Sequence, residues 1–561
     1  MFEDLKNLKE LILNYNKISS ISENTFIELN FLKELHLNGN LLTSMTSEVF
    51  NGLILKNQAS AVIALRLENN NFENITGMFD NFTRLGEIFL ASNQIRRIDN
   101  RTFKDIEKLI KLSLSFNPLE YVENNVFDRF GSTLNELYLR GIQANPSEFL
   151  NFSVFTELTI LDVSQTRFFI TEDTFKSFSS SLMKLFLRQI GLRDLNYLYI
   201  DQMTNLDTID LSDNPIEWSK ICDSNVSSHF FGSNKLLKGL FLRNTSLKNL
   251  ACLGLNELTG LNIIDLSNNL IETIESDIFN FNSPCVNSEG SFVKLIISNN
   301  FIKFIRPGSF NYICGLKVLK LDGNSMVNDG LIDNIGFRNL IWLADLYLNK
   351  SNLNKFPLFD SDNKYRLYLI DLSHNLIQSI GSNHFKNLKL LSLLDLSNNR
   401  ISRIESTDIF YGTPQLGNLD LSSNLIDTKA LSRINFDWCV NLKSLNLSYN
   451  RISVLQSFLF NSLKSLRKID LSYNKILQIQ PNTFYRLPKL FEIYLFGIKP
   501  TEISRNVDLR ENFTSECESL KFVHLSSIDL VLFNINSFLN TFRPKLANRE
   551  VNNAIYYKSI N

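Results

Sequence analysis

Apolar residues recur along the chain in one frame, L-x-x-L-x-L-x-x-N-x-L, which returns about every 24 residues. The frame is explicit at Leu32, Leu35, Leu37, Asn40 and Leu42. Its central L-x-L alternates apolar and polar positions, as a short half-buried strand does. Because so short a strand is not stable alone, successive copies are expected to stack into a parallel sheet that buries one continuous core.

The Asn position of the frame, which we call the Asn slot, recurs from one end of the chain to the other. An inward-facing Asn amide carries both donors and an acceptor, so a column of them can satisfy backbone groups turn after turn. Thr166, Thr245 and Ser351 can do part of this work. Four slots hold Ile, where poorer hydrogen bonding is expected: Ile142, Ile190, Ile498 and Ile528. The 21 slots fall at residues 16, 40, 70, 93, 117, 142, 166, 190, 214, 245, 269, 300, 324, 351, 375, 399, 424, 450, 474, 498 and 528.

The second half of each unit carries an Ile or Leu and then a Phe, as at Ile98 and Phe103 or Ile479 and Phe484. Stacked rings on the convex side explain the 45 Phe of the chain. Units this short leave no room for a long helix, so irregular or 3₁₀ turns are expected there. The fold class predicted is α/β: a right-handed solenoid with a parallel β-sheet on its concave face. We expect one solenoid over 1–546 without obvious caps, and a disordered tail over 547–561.

Composition narrows the classes of partner. The chain has 57 basic and 58 acidic residues and a net charge of −1. This balance gives no electrostatic reason to expect nucleic acid or an anionic membrane as partner. No apolar run reaches the 18 residues of a membrane span, and the N-terminus already follows the repeat rather than a signal peptide. The chain is therefore expected to be part of something longer.

Four intervals between slots are longer than the rest, and three of them contain cysteine: Cys222, Cys285 and Cys517. Cys222 and Cys252 lie one turn apart in nearly the same phase, and Cys285 and Cys314 have the same relation. Adjacent turns can meet the Cα separation of a disulfide, about 4.4–6.8 Å. Disulfides are favoured for both pairs, with unpaired core thiols as the alternative. Cys439 and Cys517 are three turns apart, roughly 14 Å, and are expected to be free thiols. The spacings fit no metal site.

Sequons for N-glycosylation are scattered along the chain, and their number alone is no evidence of secretion. Three of them, at Asn244, Asn349 and Asn446, lie beside strand Leu residues on the predicted concave face, where a glycan would screen the surface. The candidate glycosylation sites are Asn74, Asn81, Asn100, Asn151, Asn225, Asn244, Asn349, Asn446 and Asn512.

A second pattern alternates between successive strands. Strands with an outward aromatic residue and an Arg interleave with strands that carry Asp and Ser, as in Leu161-Asp162-Val163-Ser164. Aromatic residues and Arg are enriched in binding hot spots, which favours a partner-binding surface. The alternative is cross-strand Arg–Asp pairing that only solubilises the sheet. The candidate binding residues are Tyr138, Arg140, Phe186, Arg188, Phe241 and Arg243.

An enzymatic reading finds little support. His36 and His374 have no nucleophile at useful spacing, and the sequence has no phosphate-binding, zinc-protease or nucleophile-elbow motif. The outward column Asp371, Asp395, Asp420, Asn446 and Asp470 is typical of a solvated surface. We expect no enzymatic activity, no cofactor and no metal.

Repeats such as Leu394-Asp395-Leu396-Ser397-Asn398-Asn399-Arg400-Ile401 resemble the 24-residue class of leucine-rich repeat, over roughly residues 1–530. Within that class the chain resembles chaoptin-type cell-surface adhesion proteins and, secondarily, Toll-like receptor ectodomains. The resemblance implies extracellular, non-enzymatic recognition of a protein ligand, or of a homophilic partner on another cell. A soluble intracellular scaffold is the alternative of another class. Disulfides and glycans on the chain would decide for the extracellular role.

Overall fold

The computed structural model describes residues 2, 4–29, 31–51, 53, 63–83, 85–222, 230–276, 278–280, 292–306, 308–313, 315–326, 337, 340–357, 359, 365–381, 384–480, 482–497, 519–520 and 522–524. The chain divides into two compact units, residues 1–269 and 270–561. Several residues of interest lie outside the described residues: Cys285, Cys314, Cys517, Asn225, Asn512, Ile498 and Ile528.

The first unit is a β-solenoid whose sheet contains eleven parallel strands, each paired with the next along the chain, with one register shift between Ile63 and Ala64 in the pairing of the third strand with the fourth. The middle residue of a strand, such as Leu137, is fully buried, while its neighbours Glu136 and Tyr138 are half-buried. The strands are β1 (Glu10–Ile12), β2 (Glu34–His36), β3 (Ile63–Arg66), β4 (Leu85–Phe89), β5 (Lys111–Ser113), β6 (Glu136–Tyr138), β7 (Ile160–Asp162), β8 (Lys184–Phe186), β9 (Thr208–Asp210), β10 (Gly239–Phe241) and β11 (Ile263–Asp265).

The second unit repeats this architecture with ten parallel strands, again paired in chain order. Most strands show the same alternation of half-buried and buried residues. The parallel-sheet solenoid expected from the sequence is thereby confirmed in both units. The strands are β12 (Lys294–Ile296), β13 (Val318–Lys320), β14 (Asp345–Tyr347), β15 (Leu369–Asp371), β16 (Leu393–Asp395), β17 (Asn418–Asp420), β18 (Ser444–Asn446), β19 (Lys468–Asp470), β20 (Glu492–Tyr494) and β21 (Phe522–His524).

The opposite side of each turn is made of loops and very short helices, as the unit length predicts. The α-helices are Pro146–Phe149, Ser219–Cys222 and Thr428–Ser432. The 3₁₀ helices are Ser47–Phe50, Gly131–Thr133, Phe152–Val154, Asn196–Leu198, Ile200–Gln202, Ala251–Leu253, Leu255–Glu257 and Phe436–Trp438.

Small two-stranded parallel ladders on this side were not expected from the sequence. In one of them the Glu123 N–H donates to the Ile98 carbonyl at 2.9 Å, because neighbouring turns are extended at the same point. The pairs are Arg97–Ile98 with Tyr121–Val122, Thr273–Ile274 with Phe304–Ile305, Ser379–Ile380 with Arg403–Ile404, and Val454–Leu455 with Gln478–Ile479.

Phe rings form rows between successive turns, as predicted. In the first unit the Phe79, Phe103 and Phe127 rings follow one another with centroids 5.9 and 6.2 Å apart. In the second unit the Phe460 and Phe484 rings stack at 5.8 Å. These rings are almost fully buried. They fill the core where Leu side chains from the sheet do not reach, and edge or offset contacts of this kind add to their burial energy.

The Asn slots form a ladder of side-chain hydrogen bonds that joins each turn to the one before it. Asn399 Nδ2 donates to the Leu396 carbonyl in its own turn and to the Leu372 carbonyl in the preceding turn, at 3.1 and 2.9 Å. Its Oδ1 accepts the Ile377 N–H at 3.0 Å. The same set recurs at Asn93, Asn117, Asn424, Asn450 and Asn474. One amide thus satisfies three backbone groups that are shut away from water.

The ladder is interrupted over three consecutive turns of the first unit. Thr166 Oγ1 donates only within its own turn, to the Val163 carbonyl at 2.6 Å. Ile142 and Ile190 have no polar atom to offer. The ladder resumes at Asn214, whose Oδ1 accepts the N–H groups of Ile190 and Leu192, both at 3.0 Å.

Replacing a ladder Asn by Leu should destabilise the protein far more than replacing the Ile of an Ile slot by Leu. Asn399→Leu leaves three backbone groups without their partner, and each buried unsatisfied group costs about 1–3 kcal/mol. Ile190→Leu conserves volume and should cost less than about 1.5 kcal/mol. Urea unfolding followed by circular dichroism compares the two variants. Equal losses would contradict the role given to the ladder.

Candidate recognition surface

The candidate binding aromatics occupy one row on the exposed face of the sheet in the first unit. Strand register places aromatic and Asp residues alternately in this row, so successive aromatics are two strands, or roughly 10 Å, apart. The three aromatic and three Asp side chains of this row are all half-buried, with one side on the sheet and the other accessible. The row, which we call the aromatic row, runs over β6 to β11: Tyr138, Asp162, Phe186, Asp210, Phe241 and Asp265.

The aromatic side chains of the row are fixed by their own strands. The Tyr138 hydroxyl donates to Glu136 Oε2 at 2.9 Å. Burial, together with the hydrogen bond and charge of Glu136, raises the pKa of Tyr138, so its hydroxyl remains a donor. The Phe241 ring folds back over Gly239, where an added Cβ would lie 3.1 Å from the ring atom Cε2. Tyr138 and Phe241 therefore each present a flat ring held against its own strand.

The Asp and Ser residues between the aromatics hold the backbone beyond the end of each strand. Asp162 Oδ1 accepts the Ser164 N–H at 2.9 Å, and Ser164 Oγ accepts the Arg188 N–H of the next turn at 3.2 Å. Asp210 and Ser212 repeat this relay at the same distances. Burial raises the pKa of Asp162 more than its hydrogen bonds and Arg140 lower it. The Asp and Ser residues therefore stabilise the backbone in addition to making the sheet surface soluble.

The Arg side chains extend away from the aromatic row, toward the edge formed by the residues that precede the Asn slots. Arg188 Nε donates to Asp213 Oδ2 at 2.7 Å, and Arg140 Nε to Gln165 Oε1 at 3.1 Å. Burial alone would raise the pKa of Asp213, but the bonds from Asn244 and Arg188 and the Arg188 charge outweigh it, and this pKa is lowered. For Arg188, the Arg–Asp pairing that was the alternative interpretation of the sequence pattern therefore forms with Asp213, which lies outside the aromatic row.

This polar edge was missed by sequence reasoning. Gln165, Gln189 and Asp213 each precede a slot and adopt a positive φ of 56–59°. Gln165 Nε2 donates to Gln189 Oε1 at 3.2 Å, which continues the chain of bonds that begins at Arg140. The signal available in the sequence was the run of amide and acidic residues at one position of the repeat.

One candidate disulfide lies within the described residues. Cys222 ends the helix Ser219–Cys222, Cys252 lies in the 3₁₀ helix Ala251–Leu253, and the structure joins them by a disulfide with Cα atoms 5.1 Å apart. Cys439 is a buried free thiol, and burial raises its pKa to about 12. A thiol with so high a pKa is a weak nucleophile, in keeping with a structural role.

The candidate glycosylation sites differ in exposure. Asn446 lies in the outward column of the second unit, where its Nδ2 donates to Asp420 Oδ2 at 2.9 Å. Asn244 is exposed and donates to Asp213 Oδ1 at 3.0 Å. The other described sites comprise Asn74, Asn81 and Asn100, which are exposed, and Asn151 and Asn349, which are half-buried.

The acidic column of the second unit joins Asp371, Asp395, Asp420, Asn446 and Asp470 in register. Each side chain accepts, through Oδ1, the N–H of the Ser two residues later, at 2.8–3.1 Å. Burial raises the pKa of Asp395 against the hydrogen bonds from Ser397, and the charges of Asp420 and Asp371 raise it further. The charge of Asp395 therefore opposes folding at neutral pH.

Among the residues that the structure describes, one group could supply three metal ligands: Glu10, Glu34 and His36. His36 Nε2 lies 3.1 Å from Glu34 Oε2 and 3.4 Å from Glu10 Oε1, so the three side chains already contact one another. In the same part of the chain, no helix is both long and apolar enough to cross a membrane.

Asp395→Asn should raise the melting temperature at pH 7 by roughly 1–2 °C. A carboxyl whose pKa is raised by folding favours the unfolded state once it ionises, and this cost vanishes below the ordinary pKa near 3.9. The amide can still accept the Ser397 N–H and can donate to Asp371, as Asn446 does to Asp420. The gain should therefore disappear at pH 3.

Thermal melts at both pH values test this, on protein made in bacteria because the change creates a sequon. Asp408→Asn, at an exposed position of the same unit, is the matched control and should give no pH-dependent gain. A gain at pH 3 as large as at pH 7 would contradict the electrostatic explanation.

The chain is similar to known proteins in sequence over parts of its length and in fold over most of it. The leucine rich repeat family matches residues 1–42, 61–119, 366–428 and 440–497. Podocan from Mus musculus is 26% identical over 248 residues, 40% of this chain and 38% of podocan. Lumican from Homo sapiens is 32% identical over 161 residues, 28% of this chain and 44% of lumican. The chain thus spans less than half the length of these relatives.

Two solved structures share the fold over most of the chain. The TLR13 chain of a TLR13–ssRNA13 complex has a TM-score of 0.56 at 21% identity, covering 94% of this chain and 75% of that one. A chain of the mouse RP105/MD-1 complex has a TM-score of 0.52 at 20% identity, covering 94% and 79%. Four segments of this chain therefore carry leucine rich repeats, and its fold is that of leucine-rich-repeat proteins.

Proposed function

We propose that this chain is an extracellular, non-enzymatic recognition module of the cell-adhesion or receptor type, whose protein partner contacts the sheet face over β6 to β10. The observation that carries the proposal is the aromatic row. Tyr138, Phe186 and Phe241 occupy equivalent positions on alternate strands and remain half-exposed. Rings spaced in this way can each become an anchor at the centre of an interface.

The form of the surface favours a protein over a small molecule. Small ligands are held in concave pockets that bury most of their surface. The aromatic row lies on an open face, where a second surface can cover all three rings at once. A protein partner can also exclude water around the rings, which is the setting in which aromatic hot spots contribute most.

The Arg side chains complement the aromatic row from one side. The bond from Arg188 to Asp213 uses Nε and holds the guanidinium in place. A guanidinium has five N–H donors, so its two terminal nitrogens can still bind a carboxylate or carbonyl of the partner. A held side chain also loses less conformational freedom on binding than a mobile one.

The solved structures that share the fold support recognition of a macromolecule only in a general way. The TLR13 structure is a complex with single-stranded RNA, and the RP105 structure is a complex with MD-1. A Toll-like innate immune receptor ectodomain is the alternative within the same class. A soluble intracellular scaffold is the alternative from another class, and it requires reduced cysteines and an unglycosylated chain.

Phe186→Ala combined with Arg188→Ala should weaken partner or homophilic cell binding at least tenfold. Both side chains are partly exposed, so the melting temperature should fall by no more than about 2 °C. Flow cytometry of labelled protein on candidate cells and aggregation of protein-coated beads measure the two kinds of binding. Tyr347→Ala is the matched control, because Tyr347 holds the same strand position in the second unit and should leave binding unchanged.

Unchanged binding by the double variant would reject the aromatic row as the partner site. If binding were lost instead on changing the loop regions between slots 214 and 245 or between slots 269 and 300, the partner would contact a side other than the sheet face.

Peptide mapping without reductant should recover Cys222 and Cys252 in one linked peptide and Cys439 as a free thiol. Adjacent turns bring the first two within disulfide distance, while burial keeps Cys439 protonated. Mass spectrometry of the same digest, with and without enzymatic removal of N-glycans, should find sugar at exposed sites such as Asn74 and Asn100. Free Cys222 and Cys252 on a sugar-free chain from its native source would favour the intracellular scaffold.

A further inference from the structure

A cleft of about 540 Å³ opens on the polar edge of the first unit, beside the aromatic row. Its volume falls within the roughly 300–1,000 Å³ of small-ligand sites. It coincides with the three consecutive turns in which the Asn ladder is interrupted. Ile142 forms part of its floor, and the remaining lining is polar: Glu120, Gln143, Gln165, Thr166, Arg167 and Gln189.

The interrupted ladder changes what this edge offers. Elsewhere an Asn Oδ1 accepts the N–H two residues beyond the preceding slot, as at Ile377. In the interrupted turns the equivalent N–H groups are those of Leu119 and Phe168. The slot residues that would accept from them are Ile142 and Ile190, whose side chains have no acceptor atom. In these turns the slot Asn amides are absent from the interior, and the amides of Gln side chains line the cleft at the surface.

The groups that line the cleft supply both hydrogen-bond donors and hydrogen-bond acceptors. The bonds from Arg140 to Gln165 and from Gln165 to Gln189 fix two amide planes at the cleft. Gln143 and Arg167 are exposed and extend from the position directly after their slots. The lining carries one guanidinium, Arg167, and one carboxylate, Glu120, whose Oε1 also accepts a bond from Arg96 Nη1 at 2.9 Å.

An apolar ring lies next to Gly141, the residue that precedes Ile142 of the cleft. Phe116 is 50% exposed, and its ring packs on Gly141, where an added Cβ would lie 3.0 Å from Phe116 Cδ1. Gly141 directly precedes Ile142 of the floor. The Arg140 guanidinium lies over the same ring, 5.4 Å from its centroid, so the exposed part of the ring is the apolar surface available beside the cleft.

We propose that this cleft binds a neutral saccharide, either free or as a glycan carried by a partner. Amide, hydroxyl, carboxylate and guanidinium groups can each bond the closely spaced hydroxyls of a sugar, and the ring of Phe116 suits the C–H face of a pyranose. Because the lining carries charges of both signs among neutral amide and hydroxyl groups, a neutral polar ligand suits it better than an ion, and an apolar ligand is disfavoured. This proposal goes beyond protein recognition by the aromatic row and does not depend on it.

Binding to an array of neutral, sialylated and sulfated glycans tests the proposal, followed by titration calorimetry with the neutral glycan bound best. We expect retention of neutral glycans and no competition by sulfated ones. Gln143→Ala combined with Arg167→Ala should weaken binding at least tenfold. Gln94→Ala combined with Arg400→Ala is the matched control, since these exposed residues also follow their slots directly, in turns that hold Asn, and should stay within twofold.

Three results would overturn the proposal: no neutral glycan bound at millimolar concentration, a preference for sulfated glycans, or equal losses in both double variants. Melting curves of the variants, all changed at exposed positions, establish that the fold is intact. The same glycan offered free and on a carrier protein separates the two sources. Phe186→Ala combined with Arg188→Ala should leave saccharide binding unchanged, so failure of either proposal can be recognised without the other.

Discussion

The fold of this chain depends on the satisfaction of backbone polar groups where each turn leaves its strand. Carbonyl and N–H groups at that point face the interior and cannot reach water. One inward Asn per turn resolves this, as Asn399 does by bonding two carbonyls and one N–H across two turns. Because each amide links its own turn to the preceding one, the ladder also fixes the register in which successive strands pair.

Since inward Leu and Asn residues carry this structural role, the outward residues of the same strands can vary. Phe186 and Asp395 occupy equivalent strand positions, one in the aromatic row and the other in the acidic column. The choice of residue at these outward positions is nevertheless partly constrained. Asp162 and Asp395 both accept the N–H of the Ser two residues later, so part of the polar pattern serves the backbone.

The interruption of the ladder and the candidate surfaces lie in the same turns of the first unit. Slots 142, 166 and 190 belong to the turns that carry Tyr138, Asp162 and Phe186. The loss of Asn removes bonds between turns, and the chain of bonds from Arg140 through Gln165 to Gln189 takes over at the neighbouring edge. Stabilising contacts have there moved from the interior to a surface that a partner or ligand can reach.

The sequence by itself determined which residues face inward, because periods of two within a strand and about 24 between turns assign the strand Leu, the slot Asn and the convex-side Phe residues to the core. For the same reason it located the aromatic row and brought Cys222 into phase with Cys252. The tertiary structure decided where the long polar side chains go. Arg188 reaches Asp213 rather than Asp210 because its partner is set by the twist and spacing of neighbouring strands. The cleft, likewise, depends on how three turns pack together, and no periodicity of a single chain encodes that.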